Sequence, residues 1–230
     1  MNKRIAATAF ATALAGLALC SVAFGAMVGI YRNDMESLLR RGELIKISGA
    51  SCTRGGSEEA LRVVVGKKTD ACSFRTPVIG RDLEIGATER LLSGTPPAVQ
   101  RKAYLGLELR AGAGAKYQLL VYPLQRKAQL IKLTPEGPEY FDIAKDVVGV
   151  NGANKANKLR LRALNIRSGP EKGRVAVAGF VGDVAVVEGI DALPAELPGE
   201  SAAVTVGAAK NGNGVIASID ELVVRTPVHF

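Results

Sequence analysis

The chain has 230 residues, a formal net charge of +8 and 47% hydrophobic residues, with no Trp and a single His. That length suffices for one domain with a substantial core beside a targeting segment. The lone His229 leaves no Ser/His/Asp or Cys/His constellation, and with so few cysteines it cannot complete a closed zinc site.

The first element is an uncharged run. After Lys3 and Arg4, residues Ile5 to Ile30 carry no charge, a stretch of 26 residues. Spanning a bilayer takes about 20 apolar residues, whereas a signal peptide needs an apolar core of roughly 7–15. Length therefore favours an uncleaved anchor over 1–31, with the basic flank inside and the bulk of the chain exported. Ala23-Phe24-Gly25 before Ala26 offers the alternative, a protein secreted after cleavage near Gly25. Cys20 follows Leu17-Ala18-Leu19, which lacks the small residue a lipid-modified cysteine needs, so it counts as part of the run. Residues 32–48 then form a juxtamembrane linker, with Asp34 to Arg41 expected as a short helix.

The third unit, 49–230, is expected to be all-β. In an exported domain, Cys52 and Cys72 pair, closing a loop of about 21 residues. Lys158-Leu159-Arg160-Leu161-Arg162-Ala163-Leu164 alternates charged and apolar residues, which buries one face of a strand and leaves three cations on the other. Short runs of strand character also cover Leu61–Val65, Leu83–Leu91, Tyr104–Arg110, Tyr117–Tyr122, Gln129–Leu133, Val175–Phe180, Val184–Glu188, Ala202–Val206 and Val215–Val224. Pro96-Pro97, Pro135 to Pro138 and Ser168-Gly169-Pro170 mark reversals, and Asn211-Gly212-Asn213-Gly214 predicts a hairpin. Ten or so short strands with almost no helix point to two packed antiparallel sheets.

Three segments carry a resemblance. Phe74-Arg75-Thr76-Pro77, the strand Asn157 to Ala163 and the closing strand Val215 to Val224 resemble the concanavalin A-like, laminin G-like jelly rolls, and look closest to the 3-keto-disaccharide hydrolase-like branch. Ile219-Asp220-Glu221 stands where that branch carries an aromatic before its acidic pair. The resemblance covers about Gly49 to Val228 and implies a two-sheet antiparallel jelly-roll sandwich, which the uncharged run precedes as one N-terminal hydrophobic helix. It also raises two activities, sugar hydrolysis and glycan binding, and a structural calcium with Asp220 as its ligand.

Hydrolysis on this scaffold needs paired carboxylates on one strand face. The nearest pair, Glu139 and Asp142, lies three apart, which in a regular strand puts them on opposite faces. No catalytic residue is therefore assigned, and no cofactor. Charge is the better guide. Asn151 to Arg174 holds seven cations against Glu171 alone, whereas Val175 to Ala209 holds five acids and no cation. Lys158, Arg160 and Arg162, with Tyr122 as an aromatic surface, form the candidate ligand site for a cell-wall glycan or anionic envelope polymer. Nucleic acid fits the charge but neither the exported location nor the sparse aromatics. The expected function is an extracytoplasmic, membrane-anchored, non-catalytic module that binds glycan, anionic envelope polymer or an envelope protein. A sugar hydrolase and a structural component of an envelope complex are the alternatives.

Overall fold

The computed structural model describes residues 26–35, 42–48, 52–57, 60–67, 70–194, 197, 199–210 and 212–228. Among them run β1 (Met27–Asn33), β2 (Ile45–Ser48), β3 (Thr53–Ser57), β4 (Ala60–Val64), β5 (Ala71–Ile79), β6 (Leu83–Leu91), β7 (Ala103–Gly112) and β8 (Ala115–Tyr122). The series continues with β9 (Lys127–Thr134), β10 (Gly137–Ala144), β11 (Asn157–Asn165), β12 (Val175–Val181), β13 (Val184–Asp191), β14 (Ser201–Ala208) and β15 (Ile216–Pro227). A single-turn helix, α1 (Pro97–Gln100), follows β6.

The strands form two antiparallel sheets. One has eight strands in the order β13-β12-β11-β6-β15-β4-β3, with β1 added beside β15, and the other has seven in the order β10-β9-β8-β7-β14-β5-β2. Alternation builds the layer between them: Leu83, Ile85, Leu159 and Leu161 from the first sheet meet Leu105, Leu107, Leu119 and Val204 from the second in one buried cluster. The sheets approach closely at Gly179 of β12, where a Cβ would stand 2.6 Å from Leu119 Cδ1 of the opposite sheet. Any side chain there would displace Leu119.

Buried polar groups close one end of the sandwich. Tyr117 donates to Asp191 at 2.6 Å and Lys132 Nζ donates to the other oxygen of Asp191 at 2.9 Å, so β8 and β9 of one sheet are tied to β13 of the other. Nearby, Arg110 donates to the Arg81 carbonyl at 3.2 Å and to Asn165 Oδ1 at 3.0 Å, and its guanidinium lies 5.8 Å from the Tyr117 ring centroid.

Three expectations change. The N-terminal helix is not found over its last part: Met27–Asn33 is strand, pairing with Leu222–Pro227 of β15. Among the described residues no helix is long and apolar enough to cross a membrane. The run before residue 26, Cys20 and His229 lie outside the described residues. Of the helix expected over Asp34 to Arg41 only Asp34 and Met35 are described, and neither is helical: Met35 has φ 61° and sits in the core. The expected hairpin around Gly212 is a crossover instead, because β14 pairs with β5 and β7 whereas β15 pairs with β6, β4 and β1.

The Cys52–Cys72 disulfide forms, with Cα atoms 5.9 Å apart. It staples the two sheets, since Cys52 precedes β3 of the eight-stranded sheet and Cys72 lies in β5 of the other. Replacing both cysteines by alanine is expected to cost about 3 kcal/mol by the loop-closure estimate. Urea denaturation of the oxidised protein and the variant measures this, and coincident midpoints would show that the staple adds no stability.

Candidate functional site

The outer face of the eight-stranded sheet holds the cations predicted from sequence, and strand register decides what surrounds them. Because Leu83, Ile85, Leu159 and Leu161 point inward, Glu84, Gly86 and Thr88 of β6 and Lys158, Arg160 and Arg162 of β11 point outward. Pairing across β15, β6, β11 and β12 sorts them into rows: Arg225, Glu84 and Arg162 in one, and Val223, Gly86, Arg160 and Phe180 in the next. A third row brings Glu221, Thr88 and Lys158 together.

The first row is a buried ion cluster. Glu84, 1% exposed, accepts from Arg162 Nε at 2.8 Å and Nη2 at 2.5 Å on one oxygen, and from Arg225 Nη1 at 2.9 Å on the other. Arg160 reaches the same carboxylate only at 3.9 Å. It also donates to the Gly182 carbonyl at 3.3 and 3.4 Å and to Asp183 at 3.3 Å. The guanidinium lies 4.7 Å from the Phe180 ring centroid, and that of Arg162 lies 5.2 Å from it.

Gly86 leaves a gap in the second row. A Cβ there would meet Arg160 Cγ at 3.2 Å and Arg225 Nη1 at 3.5 Å. Over this gap lies an open depression of about 260 Å³, lined among others by Thr88, Lys158, Arg160, Asp183 and Arg225. A shallower one of about 520 Å³ continues across β1, and the two share Glu221, Val223 and Arg225. Together they make a groove crossing β1, β15, β6 and β11. Arg32 and Glu221 form an ion pair of 3.0 Å along it.

Tyr122 does not join this site. It lies on the outer face of the other sheet, 5% exposed, edge-on to Tyr104 at 5.8 Å and beneath the Lys127 ammonium at 4.0 Å. Burial, with Tyr140 nearby, pushes its hydroxyl pKa up to about 12. Asp220, expected as a calcium ligand, sits at a bulge in β15, 2.8 Å from Arg90 Nη2 although not aligned for a hydrogen bond, and it accepts from Ser218 at 3.3 Å. Among the described residues no three His, Cys, Asp or Glu gather as a metal site.

Glu139 and Asp142 are not on opposite faces. A bulge between Tyr140 and Asp142 sets them opposite Lys132 and Leu130, both on the inner side of β9, so the irregularity cancels the odd spacing. Asp142 accepts from the amides of Ile143 at 2.7 Å and Glu188 at 3.3 Å. Sequence reasoning missed Glu84, Gly86, Phe180 and Arg225. Alternation could have placed each on an outer face, but only register makes them neighbours.

No family model matches the chain and no curated protein matches it in sequence. Solved structures do. The carbohydrate-binding module CBM66 from Bacillus subtilis aligns at TM-score 0.57 and 13% identity, covering 80% of this chain and 96% of that one. A Bacillus subtilis protein of unknown function with a galectin-like fold gives 0.63 and 12%, covering 89% and 99%. The carbohydrate recognition domain of Emp46p in its metal-free form gives 0.58 and 12%, covering 86% and 95%. The chain has a galectin-like, concanavalin A-like jelly-roll fold.

Two of the carboxylates buried in this jelly roll, both on β6, stand in opposite circumstances. Glu84 is paired, whereas Glu89, facing the core from the same strand, finds no hydrogen-bond partner for either oxygen among the described residues. Burial raises the Glu89 pKa well above its ordinary 4.5, only partly offset by the Gly106 backbone, which approaches without hydrogen-bond geometry. Below pH 4.5 both folded and unfolded Glu89 hold the proton. As pH rises, the unfolded state ionises first and stability falls until the folded pKa is passed. Glu89→Gln is therefore expected to stabilise at pH 8, by about 1–3 kcal/mol, and to change little at pH 4. Glu84→Gln is expected to cost about 3 kcal/mol at pH 8, because it strands two arginines. Urea midpoints at both pH values check the opposite signs.

Proposed function

We propose that this protein is an exported glycan-binding module whose ligand lies in the groove across β1, β15, β6 and β11. The observation that carries the reading is the depression above Gly86, where guanidinium, ammonium, hydroxyl and carboxylate groups converge on an open sheet face. Polar groups held in fixed positions suit hydroxyl-rich polymers, because each donor and acceptor is satisfied with little ordering cost. Two structural neighbours, a carbohydrate-binding module and a carbohydrate recognition domain, agree with that class of ligand.

Two observations support export. The disulfide belongs to an oxidising compartment. The sandwich begins at Met27, so the uncharged run left for the membrane ends at Ala26, one residue past the cleavage triplet. An anchor retained up to that point would hold the sandwich against the headgroups with no spacer. Cleavage between Gly25 and Ala26 frees it, and we favour that version. The intact mass of protein recovered from the expressing cell is expected to start at Ala26. A membrane-bound chain retaining Met1 would make it an anchored module instead.

Filling the groove tests the binding. Thr88 lines the depression on an outward, half-buried position, so Thr88→Trp is expected to reduce polysaccharide binding at least about tenfold, the equivalent of 1.4 kcal/mol. Affinity electrophoresis against neutral and acidic polysaccharides reads this directly. Unchanged retention of the variant would remove the groove from the reading, and no retention of the wild type on any polysaccharide would remove the reading itself.

A further inference from the structure

Arg160 occupies an unusual position among the cations of the groove. Arg162 and Arg225 are spent on Glu84, with contacts of 2.5–2.9 Å in the range of strong charge-assisted bonds. Arg160 stands 3.9 Å from that carboxylate, and its hydrogen bonds to Gly182 and Asp183 are all 3.3–3.4 Å long. One of its two acceptors is a backbone carbonyl. The other, Asp183, has a fully exposed side chain, so solvent and salt screen that attraction. A guanidinium carries five donors, and here most of that capacity is not met by short bonds.

The group is nevertheless held in place. Phe180 lies against it at 4.7 Å, and the missing side chain of Gly86 lets its stem lie close against β6. Its side chain is only 24% exposed. Little rotamer freedom remains to be lost when a ligand arrives, which is where an exposed arginine loses most of its binding energy. Lys158, one row along on the same strand, lines the same depression. Two residues along a strand span about 6.6 Å, so the two cationic groups can serve neighbouring positions of an extended chain. The groove carries Arg32, Lys158, Arg160, Arg162 and Arg225 against Glu84, Asp183 and Glu221, which leaves it cationic.

We propose that the groove selects acidic glycans, and that Arg160 is the specificity-determining residue, receiving a ligand carboxylate or sulfate ester in place of Asp183. This rests on the glycan-binding reading above and adds the chemical class of the ligand. Asp183 acts as an internal competitor. It holds the guanidinium toward the β12–β13 turn, and an incoming anion with two oxygens replaces one long contact by a bidentate pair. Lys158 adds a second, less directional attraction. A lipid surface fits less well, because the depression is a concavity between strands, with the Phe180 ring centroid 4.7 Å from its arginine.

The test compares matched polymers on the full purified protein: polygalacturonate against its methyl ester, and dextran sulfate against dextran. Isothermal titration is expected to show at least tenfold tighter binding of one acidic member over its neutral partner, weakening as salt rises. Arg160→Gln is expected to abolish that preference, and Arg160→Lys to restore only part of it because an ammonium lacks the fork. Asp183→Asn is the variant a merely structural role would not move as expected: it lies on the surface, should leave the melting temperature unchanged, and should tighten acidic binding a few-fold. Equal binding of charged and neutral partners in the groove overturns the acidic class while leaving glycan binding intact. An unchanged or weakened Asp183→Asn overturns the competitor role. Binding to phosphatidylglycerol vesicles that exceeds binding to either acidic polymer overturns the polymer in favour of a membrane surface.

Discussion

The stacking of two antiparallel sheets on a single apolar layer is the constraint from which everything else follows. Side chains alternate with period two, so each strand that gives Leu or Val to the layer must turn its other residues outward. Leu159 and Leu161 cannot enter the core without sending Lys158, Arg160 and Arg162 to the opposite face. The same holds for Ile85 and Ala87 against Glu84, Gly86 and Thr88. Hydrophobic burial therefore fixes which residues reach the groove, and hydrogen-bonded register fixes which of them meet.

That dependence makes the sealing of the sandwich part of the site's mechanics. Lys132, Asp191 and Tyr117 lie inside, where one unpaired charge would cost several kcal/mol, so they persist as a mutually satisfied set across both sheets. Asp82 performs a related task at the surface. It accepts from the Asn165 amide at 2.7 Å and pairs with Arg167 at 2.9 Å, which fixes the end of β11. At the other end Asn157 donates to the Asn151 and Lys155 carbonyls at 3.1 and 3.2 Å, so the Arg160 row lies between two fixed ends of the strand.

Much of the fold was legible because the governing pattern is local. The run Leu83–Leu91 coincides with β6, and Lys158–Leu164 lies within β11, since alternation is written in the strand itself. Strands without alternation escaped. β3 reads Thr-Arg-Gly-Gly-Ser and exists by pairing with β4, while β1 is uniformly apolar at its start and looked continuous with the segment before it. Register, which depends on partners distant in the chain, was the illegible part. Glu84 and Arg225 are 141 positions apart yet hydrogen-bonded, and no local signal joins them. Tyr122 was grouped with Arg160 although the two stand on opposite outer faces of the sandwich, and the bulge in β10 moved Asp142 to the side that spacing denied it.

Pairing across strands also changes what the charge segregation in the sequence means. The cation-rich segment 151–174 and the acid-rich segment 175–209 look like two opposed fields, but folding interleaves them with the rest of the chain. Arg160 meets Asp183, Arg174 meets Glu171, Glu200 meets Arg81, and Asp191 leaves the surface altogether. At physiological ionic strength such pairs look nearly neutral beyond about 8 Å. What survives is short-ranged: a few donors in fixed directions above Gly86. Recognition on this face thus falls to contact and geometry more than to long-range attraction, and a ligand must reach the groove before the arginines can distinguish it from any other polymer.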